Sequence, residues 1–338
     1  MKILAIDTSC DETSAAVIEG TKILSNIIWS QASAHAKFGG VMPSLAQRMH
    51  EEKIDWIIDK AIRKAKCKIG DLDAIAVTVG PGLSIALGVG IDRAKKLAIK
   101  YKKPLIAVNH LEGHLLSSFA NSKLQITNYK FPMLGLVISG GNTVLVKIAK
   151  IGSYEILAQT TDDALGEALD KSARMLGLGY PGGAVLEKMA RLGNATKFTL
   201  PVPIAGQEQR QIFTYSGLKT AMMREVAKKE SFSKDDVYNL SATFQNVAFK
   251  HIERVLDFIF KKYEVKNTAL LVGGGVSANV EIRKRLRKVC KKYSIQVLFP
   301  GSKKLYGDNA AMIGIAAHLN QNFVDPESID REPNLKLA

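Results

Sequence analysis

Apolar residues in this chain come in two kinds of run, and the two kinds alternate. Short unbroken runs at Lys2–Ile6, Ala74–Val79, Leu105–Val108, Met133–Ile138, Ala269–Val272 and Val297–Phe299 predict buried strands. Between them the apolar residues fall at helical spacing. Leu45, Met49, Ile54, Ile57, Ile58, Ala61 and Ala65 share one side of a helix that starts after the breaker Gly39-Gly40-Val41-Met42-Pro43. Ile91, Ala94, Ala98 and Tyr101 form the inner face of another. Further helices are expected over Asp162–Leu178, around Glu187, over Asn239–Tyr263, and over the apolar stretch Ala310–Leu319. Residues 198–216 are polar and loop-rich, and the tail beyond Asn320 is expected to pack loosely. Strands that alternate with helices in this way indicate an α/β fold.

One unit recurs. Lys2–Ile6 runs into the polar turn Asp7–Ser14 and returns through Ala15–Ile18. Met133–Ile138 runs into Ser139-Gly140-Gly141-Asn142-Thr143 and returns through Val144–Ile148. A strand-turn-strand unit that reappears after Phe131-Pro132 predicts two related lobes. The expected division is an N-terminal lobe over 1–130, closed by the C-terminal helix at about 310–338, and a C-terminal lobe over 131–309.

The chain has 338 residues, 46% of them apolar, which is ample for a two-lobed core. Lys plus Arg number 47 against 32 acidic residues, a formal charge of +15, so a polyanionic partner is favoured, with nucleic acid ahead of anionic lipid. Cys10, Cys67 and Cys290 are too far apart to form a metal cluster, and so sparse a count fits a reducing cytosol. The apolar start meets Asp7 too soon for a signal peptide, and no apolar run is long enough to span a membrane.

Chemistry concentrates in a few places. Glycine-rich turns follow strands at Gly80–Gly82, Ser139–Gly141 and Gly273–Gly275, where the backbone can approach a phosphate closely. No Gly-x-x-x-x-Gly-Lys-[Ser/Thr] loop is present, and Gly88-Val89-Gly90 lacks the third glycine and the preceding strand of a dinucleotide fingerprint. His110 and His114 sit four apart, so on a helix both imidazoles face one way and suit a single metal ion. An amphipathic helix with two partly buried histidines accounts for the same spacing. The pair is not the metalloprotease motif, because Leu111 stands where that motif needs Glu, and Glu112 lies about 200° round the helix from His110. Asp308, before the apolar closing helix, is either an N-cap or a third ligand. Two His and one carboxylate leave open positions for substrate and are compatible with Fe(II) or Zn(II). Asp11 and Glu12, at the first hairpin tip, are candidates for a general base, for holding a cation or for capping the turn.

These segments together resemble a known family. Asp7-Thr-Ser-Cys-Asp-Glu-Thr13, Phe38-Gly-Gly-Val-Met-Pro43, Gly80-Pro-Gly82, Val108-Asn-His-Leu-Glu-Gly-His114, Ser139-Gly-Gly-Asn-Thr143, Gly166-Glu-Ala-Leu-Asp-Lys171, Tyr180-Pro-Gly-Gly183, Ser216-Gly-Leu-Lys-Thr220, Gly274-Gly-Val-Ser-Ala-Asn279 and Asp308-Asn-Ala310 are spaced as in the universal tRNA threonylcarbamoyladenosine transferases, formerly called O-sialoglycoprotein endopeptidases. The chain departs from the usual pattern at Ser44, Val137 and Asn142. The resemblance implies a two-lobed actin/Hsp70/sugar-kinase-like fold with a nucleotide cleft between the lobes. It implies transfer of threonylcarbamoyl from threonylcarbamoyl-AMP to the N6 amine of the adenosine beside the anticodon of ANN-decoding tRNAs. By motif match, His110, His114 and Asp308 hold one divalent metal per subunit, with Fe(2+) favoured and Zn(2+) the alternative. Val137, Ile138, Ser139, Gly140, Gly141, Asp170, Gly183, Glu187 and Asn279 contact the adenylate. The implied partners are tRNA, an inactive paralogue of the same fold and a small ATPase, in the cytoplasm, with no membrane. Two other readings compete. A small-molecule kinase on the same fold leaves the His pair unexplained, and a non-catalytic scaffold is expected to have lost the His pair and Asp308.

Overall fold

The structure is a computed structural model, and it describes residues 1–121, 126–228 and 231–337. The stretches 122–125, 229–230 and 338, which fall within the expected lobes, lie outside the described residues. In chain order the first part forms β1 (Lys2–Asp7), β2 (Glu12–Glu19), β3 (Lys22–Ser30), α1 (Ala32–Ala36), α2 (Pro43–Lys64), β4 (Ala74–Gly80), α3 (Ser84–Tyr101), β5 (Leu105–Asn109) and α4 (His110–Leu116). The second part forms β6 (Met133–Ile138), β7 (Thr143–Lys150), β8 (Ser153–Thr160), α5 (Leu165–Met175), α6 (Gly183–Ala190), β9 (Ile212–Phe213), α7 (Ser216–Val226), α8 (Lys234–Lys262), β10 (Ala269–Gly273), α9 (Val280–Lys291), β11 (Gln296–Leu298), α10 (Ala310–Leu319) and β12 (Phe323–Val324).

Two six-stranded sheets result, in the orders β12-β5-β4-β1-β2-β3 and β11-β10-β6-β7-β8-β9. The repeat anticipated from the hairpins extends to the topology. β1-β2-β3 and β6-β7-β8 are both antiparallel meanders, and β4 and β10 join β1 and β6 in parallel. The third strands, β3 and β8, escape the apolar pattern because each leaves much of its length partly exposed and mixes polar with apolar residues. β4, by contrast, is buried at every position, as a parallel strand covered on both faces must be.

Three apolar cores alternate with the sheets. One lies between the first sheet and the α2/α3 layer, and one between the second sheet and α5–α9. The third lies between the two sheets and is built on α4 and α10. There Ile3 and Ala5 of the first sheet and Val146 and Leu271 of the second share a cluster with Leu115, Met312 and Ile313. Every residue of α4 is buried. Two glycines permit this packing. A Cβ on Gly113 would stand 2.9 Å from Ile313 Cδ1, and one on Gly273 would stand 2.3 Å from the His114 carbonyl oxygen. Among the described residues, no helix is long and apolar enough to cross a membrane.

Three local expectations are corrected. The run Asp162–Leu178 is helical only over Leu165–Met175. Asp162 instead accepts hydrogen bonds from Tyr215 N at 2.8 Å and Ser216 Oγ at 2.6 Å, and also from Thr214 Oγ1, so it fastens the start of α7. Asp163 takes Lys171 at 2.8 Å and also Lys219. The long helix begins earlier than Asn239, at Lys234, because Ser233 and Asp236 form a capping box. The tail does not pack loosely. β12 pairs with β5, the Glu332 amide donates to Val79 O at 2.7 Å, the Gly82 amide donates to Pro333 O at 3.1 Å, and Asn109 Nδ2 donates to Lys336 O at 2.9 Å. Its own polar side chains hide this role, since the ties are made by its backbone.

Glu112 points away from the histidines, as the helical arc requires. It is 4% exposed, and Tyr154 Oη of β8 donates to its Oε1 at 2.5 Å while Asn320 Nδ2, just past α10, donates at 3.0 Å. Burial pushes its carboxyl above the usual range, and these donors oppose the shift. The bonds tie α4, the second sheet and the C-terminal helix together. Glu112→Ala leaves two partly buried donors without their acceptor and is expected to cost about 1–2 kcal/mol of unfolding free energy, whereas Glu112→Gln, which keeps Oε1, costs less than half of that. Urea midpoints of the two variants check this, and an Ala variant within about 0.5 kcal/mol of wild type would refute it.

His251 gives a pH prediction. It is buried on α8 against Phe213 and Tyr215, and its Nε2 accepts from the Thr214 amide at 3.2 Å. Burial lowers its pKa to about 4. The unfolded chain, with an ordinary His, binds the proton more readily, so this contribution is complete above about pH 6.5 and is lost as pH falls toward 4. A melting-temperature profile is expected to decline over that window and to decline less steeply in His251→Gln.

Candidate metal centre and ligand cleft

β5 delivers the chain to α4 through Asn109, whose Oδ1 accepts from the Leu111 amide at 2.9 Å and the Glu112 amide at 3.4 Å. This cap fixes the first turn and hence His110. One turn on, His114 lies on the same face, with the two rings 4.7 Å apart and nearly perpendicular. Asp308 comes from the loop before α10. The N-cap role that its position suggests belongs instead to Asn309, whose side chain accepts from the Met312 amide at 3.1 Å. Asp308 is thereby free to turn toward the histidines.

Asp308 Oδ1 lies 3.5 Å from His110 Nε2 and 3.2 Å from His114 Nε2, and one ligand atom from each residue falls within 4.8 Å of the other two. Ligands sharing one small divalent ion at about 2.0–2.2 Å stand roughly 3–3.5 Å apart, which is the spacing found between Asp308 and each histidine. Both nitrogens of the fully buried His114 lack hydrogen-bond partners. Buried polar atoms without partners are rare in proteins, and an ion at this point would satisfy Nε2. The residues therefore fit a divalent metal. Without one, burial disfavours charge on His110, but the Asp308 carboxylate outweighs it and lifts the pKa to about 10. Burial opposes the Asp308 charge too, and the two imidazoles hold its carboxyl well below the usual range. His114, for which burial dominates, is pushed down.

Asp7, at the end of β1, was not singled out by the sequence. It is wholly buried, and its Oδ1 lies 3.8 Å from His110 Nδ1, the nitrogen facing away from Asp308. At that distance it makes no hydrogen bond to the ring, and its charge, like that of Asp308, favours the protonated imidazole. His50 was also missed. Its Nδ1 pairs with Thr13 Oγ1 at 2.8 Å and its Nε2 with Cys10 O at 3.0 Å, so α2 holds the hairpin tip in place. In both cases only the spatial neighbour reveals the role.

A cleft of about 640 Å³ opens over this centre. Its walls bring together His110, Asp308, Asp11, Glu12, Ser139, Gly140, Gly141 and Asp170 from the expected set. Glu12 accepts from Ser30 Oγ at 3.0 Å, and its pKa rises to about 9, first through burial and then through the Asp308 and Asp11 charges. Val137 and Ile138 are fully buried in β6 beneath the turn. A Cβ on Gly140 or Gly141 would meet nothing within 4 Å, so there is open space above this turn. The turn itself is stitched to the start of α5, as the Gly166 amide donates to Ser139 O and the Glu167 amide to Gly140 O. Asp170 accepts from the Gly182 and Gly183 amides at 2.9 and 2.6 Å, and this places Gly183 at the cleft's flank. Glu187 and Asn279 stand further out and beside each other. Glu187 Oε1 accepts from the Val280 amide at 3.0 Å, while Asn279 caps α9 and donates to Gln245 at 2.8 Å. Across the cleft, Arg174 donates to Gly39 O at 2.8 Å and links α5 to the loop before α2.

Comparison with known proteins agrees with this geometry. A (R)-2-hydroxyglutaryl-CoA dehydratase component A from Acidaminococcus fermentans superposes with a TM-score of 0.54 at 13% identity, covering 94% of this chain and 98% of that one. HypF of T. kodakarensis superposes with 0.61 at 14% identity, covering 95% of this chain and 47% of that one. At such identities the likeness shows the fold alone, which is the two-lobed actin-like one. In sequence, the chain is 44% identical to a tRNA N6-adenosine threonylcarbamoyltransferase of Chelativorans sp., over 93% of this chain and 88% of the relative. It is 41% identical to one of Clostridium novyi, over 100% and 98%. The family profile described as tRNA N6-adenosine threonylcarbamoyltransferase matches residues 22–315, so the chain belongs to that family of tRNA-modifying transferases.

Proposed function

We propose that the chain transfers the threonylcarbamoyl group of threonylcarbamoyl-AMP to the N6 amine of the adenosine next to the anticodon in ANN-decoding tRNAs, at a metal held by His110, His114 and Asp308. The observation that carries this reading is the convergence of those three residues at a cleft lined by His110 and Asp308 and also by the open Ser139–Gly141 turn. Fe(2+) is the favoured ion and Zn(2+) the alternative, since two imidazoles and a carboxylate suit either. When bound, the ion supplies Lewis acidity to a carbonyl oxygen placed beside it.

The remaining roles belong to the chain. Ser139, Gly140 and Gly141, lying over Val137 and Ile138, offer backbone room for the phosphate. Asp170 with Gly183, and Glu187 with Asn279, form the flank that holds the nucleoside. A cleft of this volume suits a ligand of nucleotide size. The N6 amine is a weak nucleophile because its lone pair is conjugated with the ring, so holding it against the carbonyl accounts for much of the rate gain. Asp11 and Glu12, on the hairpin tip whose Cys10 and Thr13 are held by His50, line the cleft, with Ser30 bonded to Glu12. They are the candidates to receive the amine's proton or to steady a cation. The lobes are taken as 1–130, closed by 310–338, and 131–309. Membership of the two sheets supports this, since β12 joins the first sheet and β6–β11 form the second. The proposed setting is the cytoplasm, with an inactive paralogue of the same fold and a small ATPase as partners.

The test is nucleoside analysis of tRNA from cells depleted of the protein, with wild type or His110→Ala returned. Threonylcarbamoyladenosine is expected to vanish on depletion and to return only with wild type; unchanged modification after depletion would sink the reading. With purified protein, His110→Ala, His114→Ala and Asp308→Ala are each expected to lose stoichiometric metal and to slow transfer by on the order of a hundredfold or more. A variant that keeps both its metal and its rate would remove that residue from the ligand set.

A further inference from the structure

Several cations on or beside the other helices have work within the fold. On α3, Arg93 pairs with Asp55 at 2.6 Å and Lys95 donates to Ile329 O at 3.3 Å, while Lys103, just beyond the helix, donates to Gly70 O at 2.7 Å. The basic end of α2 lies at a helix C-terminus, where the macrodipole favours positive charge.

α9 is different. Its Ile282, Leu286, Val289 and Cys290 are buried, and its other face carries Arg283, Lys284, Arg287, Lys288 and Lys291. Among the described residues, none of these five has a carboxylate within ion-pair distance. The acids near the helix are taken by its other cations. Arg285 binds Glu281 at 2.7 Å and Glu253 at 3.2 Å, and Lys292 binds Asp257 at 3.3 Å. The five cations fall at i, i+4 spacing as Arg283–Arg287, Lys284–Lys288 and Arg287–Lys291. Like charges so placed destabilise a helix. Nor does the macrodipole account for Arg283 and Lys284, which lie toward its positive N-terminal end. Lys288 and Lys291 gain from the macrodipole of the last turn, and Arg283 and Arg287 from nearby rings, but among the described residues no carboxylate answers these five charges, so the face calls for an external anion.

The face leads to the metal centre. The Arg283 guanidinium lies 4.5 Å from the centroid of the Phe299 ring and 5.3 Å from that of Tyr306, and Arg287 lies 5.1 Å from Phe299. Tyr306 is two residues from Asp308, and the exposed Lys303 and Lys304, also without a carboxylate partner among the described residues, stand in the same loop. Stacking on the rings fixes the arginines as a rigid, weakly hydrated pair, the form of cation suited to phosphate.

We propose that the exposed face of α9, continued by Lys303 and Lys304, is the surface on which tRNA lays its phosphate backbone so that its adenosine reaches the centre at Asp308. The proposal rests on the transferase reading above and adds where the RNA lies. Phosphates bound by Lys and Arg release counterions, so binding there weakens steeply with salt.

The test uses the full-length, metal-loaded protein carrying Lys284→Ala, Lys288→Ala and Lys291→Ala together. The control carries Lys60→Ala, Lys64→Ala and Lys66→Ala on and just after α2. Binding of an ANN-decoding tRNA is measured across a salt series. The α9 variant is expected to bind about tenfold or more weakly at about 0.1 M salt, and its plot of log affinity against log salt to be shallower by about 2–3. Its metal content, circular dichroism and kcat at saturating tRNA should match wild type, and the control should bind like wild type. Substitution of the same three lysines by Arg should restore binding. Wild-type affinity and slope in the α9 variant would overturn the proposal while leaving the transferase reading intact, because that reading stands or falls on whether wild type restores threonylcarbamoyladenosine in depleted cells. An α9 variant that keeps tRNA binding but loses binding to anionic phospholipid vesicles would assign the face to a membrane and equally overturn the proposal.

Discussion

The complete burial of α4 is the constraint on which the rest of the structure depends. Seven residues that include two histidines and a glutamate are placed between two sheets, where an unsatisfied polar group costs several kcal/mol. The structure meets that cost differently on the helix's two sides. On one, the Glu112 carboxylate is saturated by Tyr154 and Asn320, and the result is a strut between the lobes. On the other, the imidazoles face Asp308, backed by Asp7, with both nitrogens of His114 left unbonded. The satisfied side is architecture. The unsatisfied side is where a cation belongs.

The same burial explains why the site lies where the two lobes meet. Gly113 lets α10 approach α4, and Gly273 lets β10 do so from the other sheet, so both lobes close on the helix that carries the histidines. The related hairpins then bring their turns to one cleft. The first supplies Asp11 and Glu12, and the second supplies Ser139, Gly140 and Gly141. A duplicated plan has thus acquired unequal chemistry, with carboxylates at one tip and an open glycine turn at the other.

Charge is distributed against the average. The chain is strongly basic, yet Asp11, Glu12, Asp170 and Asp308 line the cleft. An acidic interior draws a metal ion, and a basic exterior draws a polyanion. The two needs conflict unless they are separated, and a single loop between Phe299 and Asp308 separates them, with stacked cations at one end and the carboxylate of Asp308 at the other.

Much of this was legible in the sequence. Unbroken apolar runs marked the parallel strands because those are covered on both faces. The period of α2 and α3 marked helices packed on one side, and four-residue spacing put His110 and His114 on one face. The order of the motifs indicated the family. β3 and β8 were not legible, because partly exposed strands carry no apolar run. The grip of the tail was not, because backbone groups make it. Asp7, His50 and the partners of Glu112 were not, because their roles arise between residues far apart in the chain. Nor could sequence choose between ligand and N-cap for Asp308. The fold removes the cap reading by giving the cap to Asn309, and it seats Asp308 against two imidazoles that the chain reaches some two hundred residues earlier. Local sequence determines which elements form, since periodicity and capping act over a few residues. Only the tertiary structure determines which buried polar groups find partners, and so which of them are left to bind.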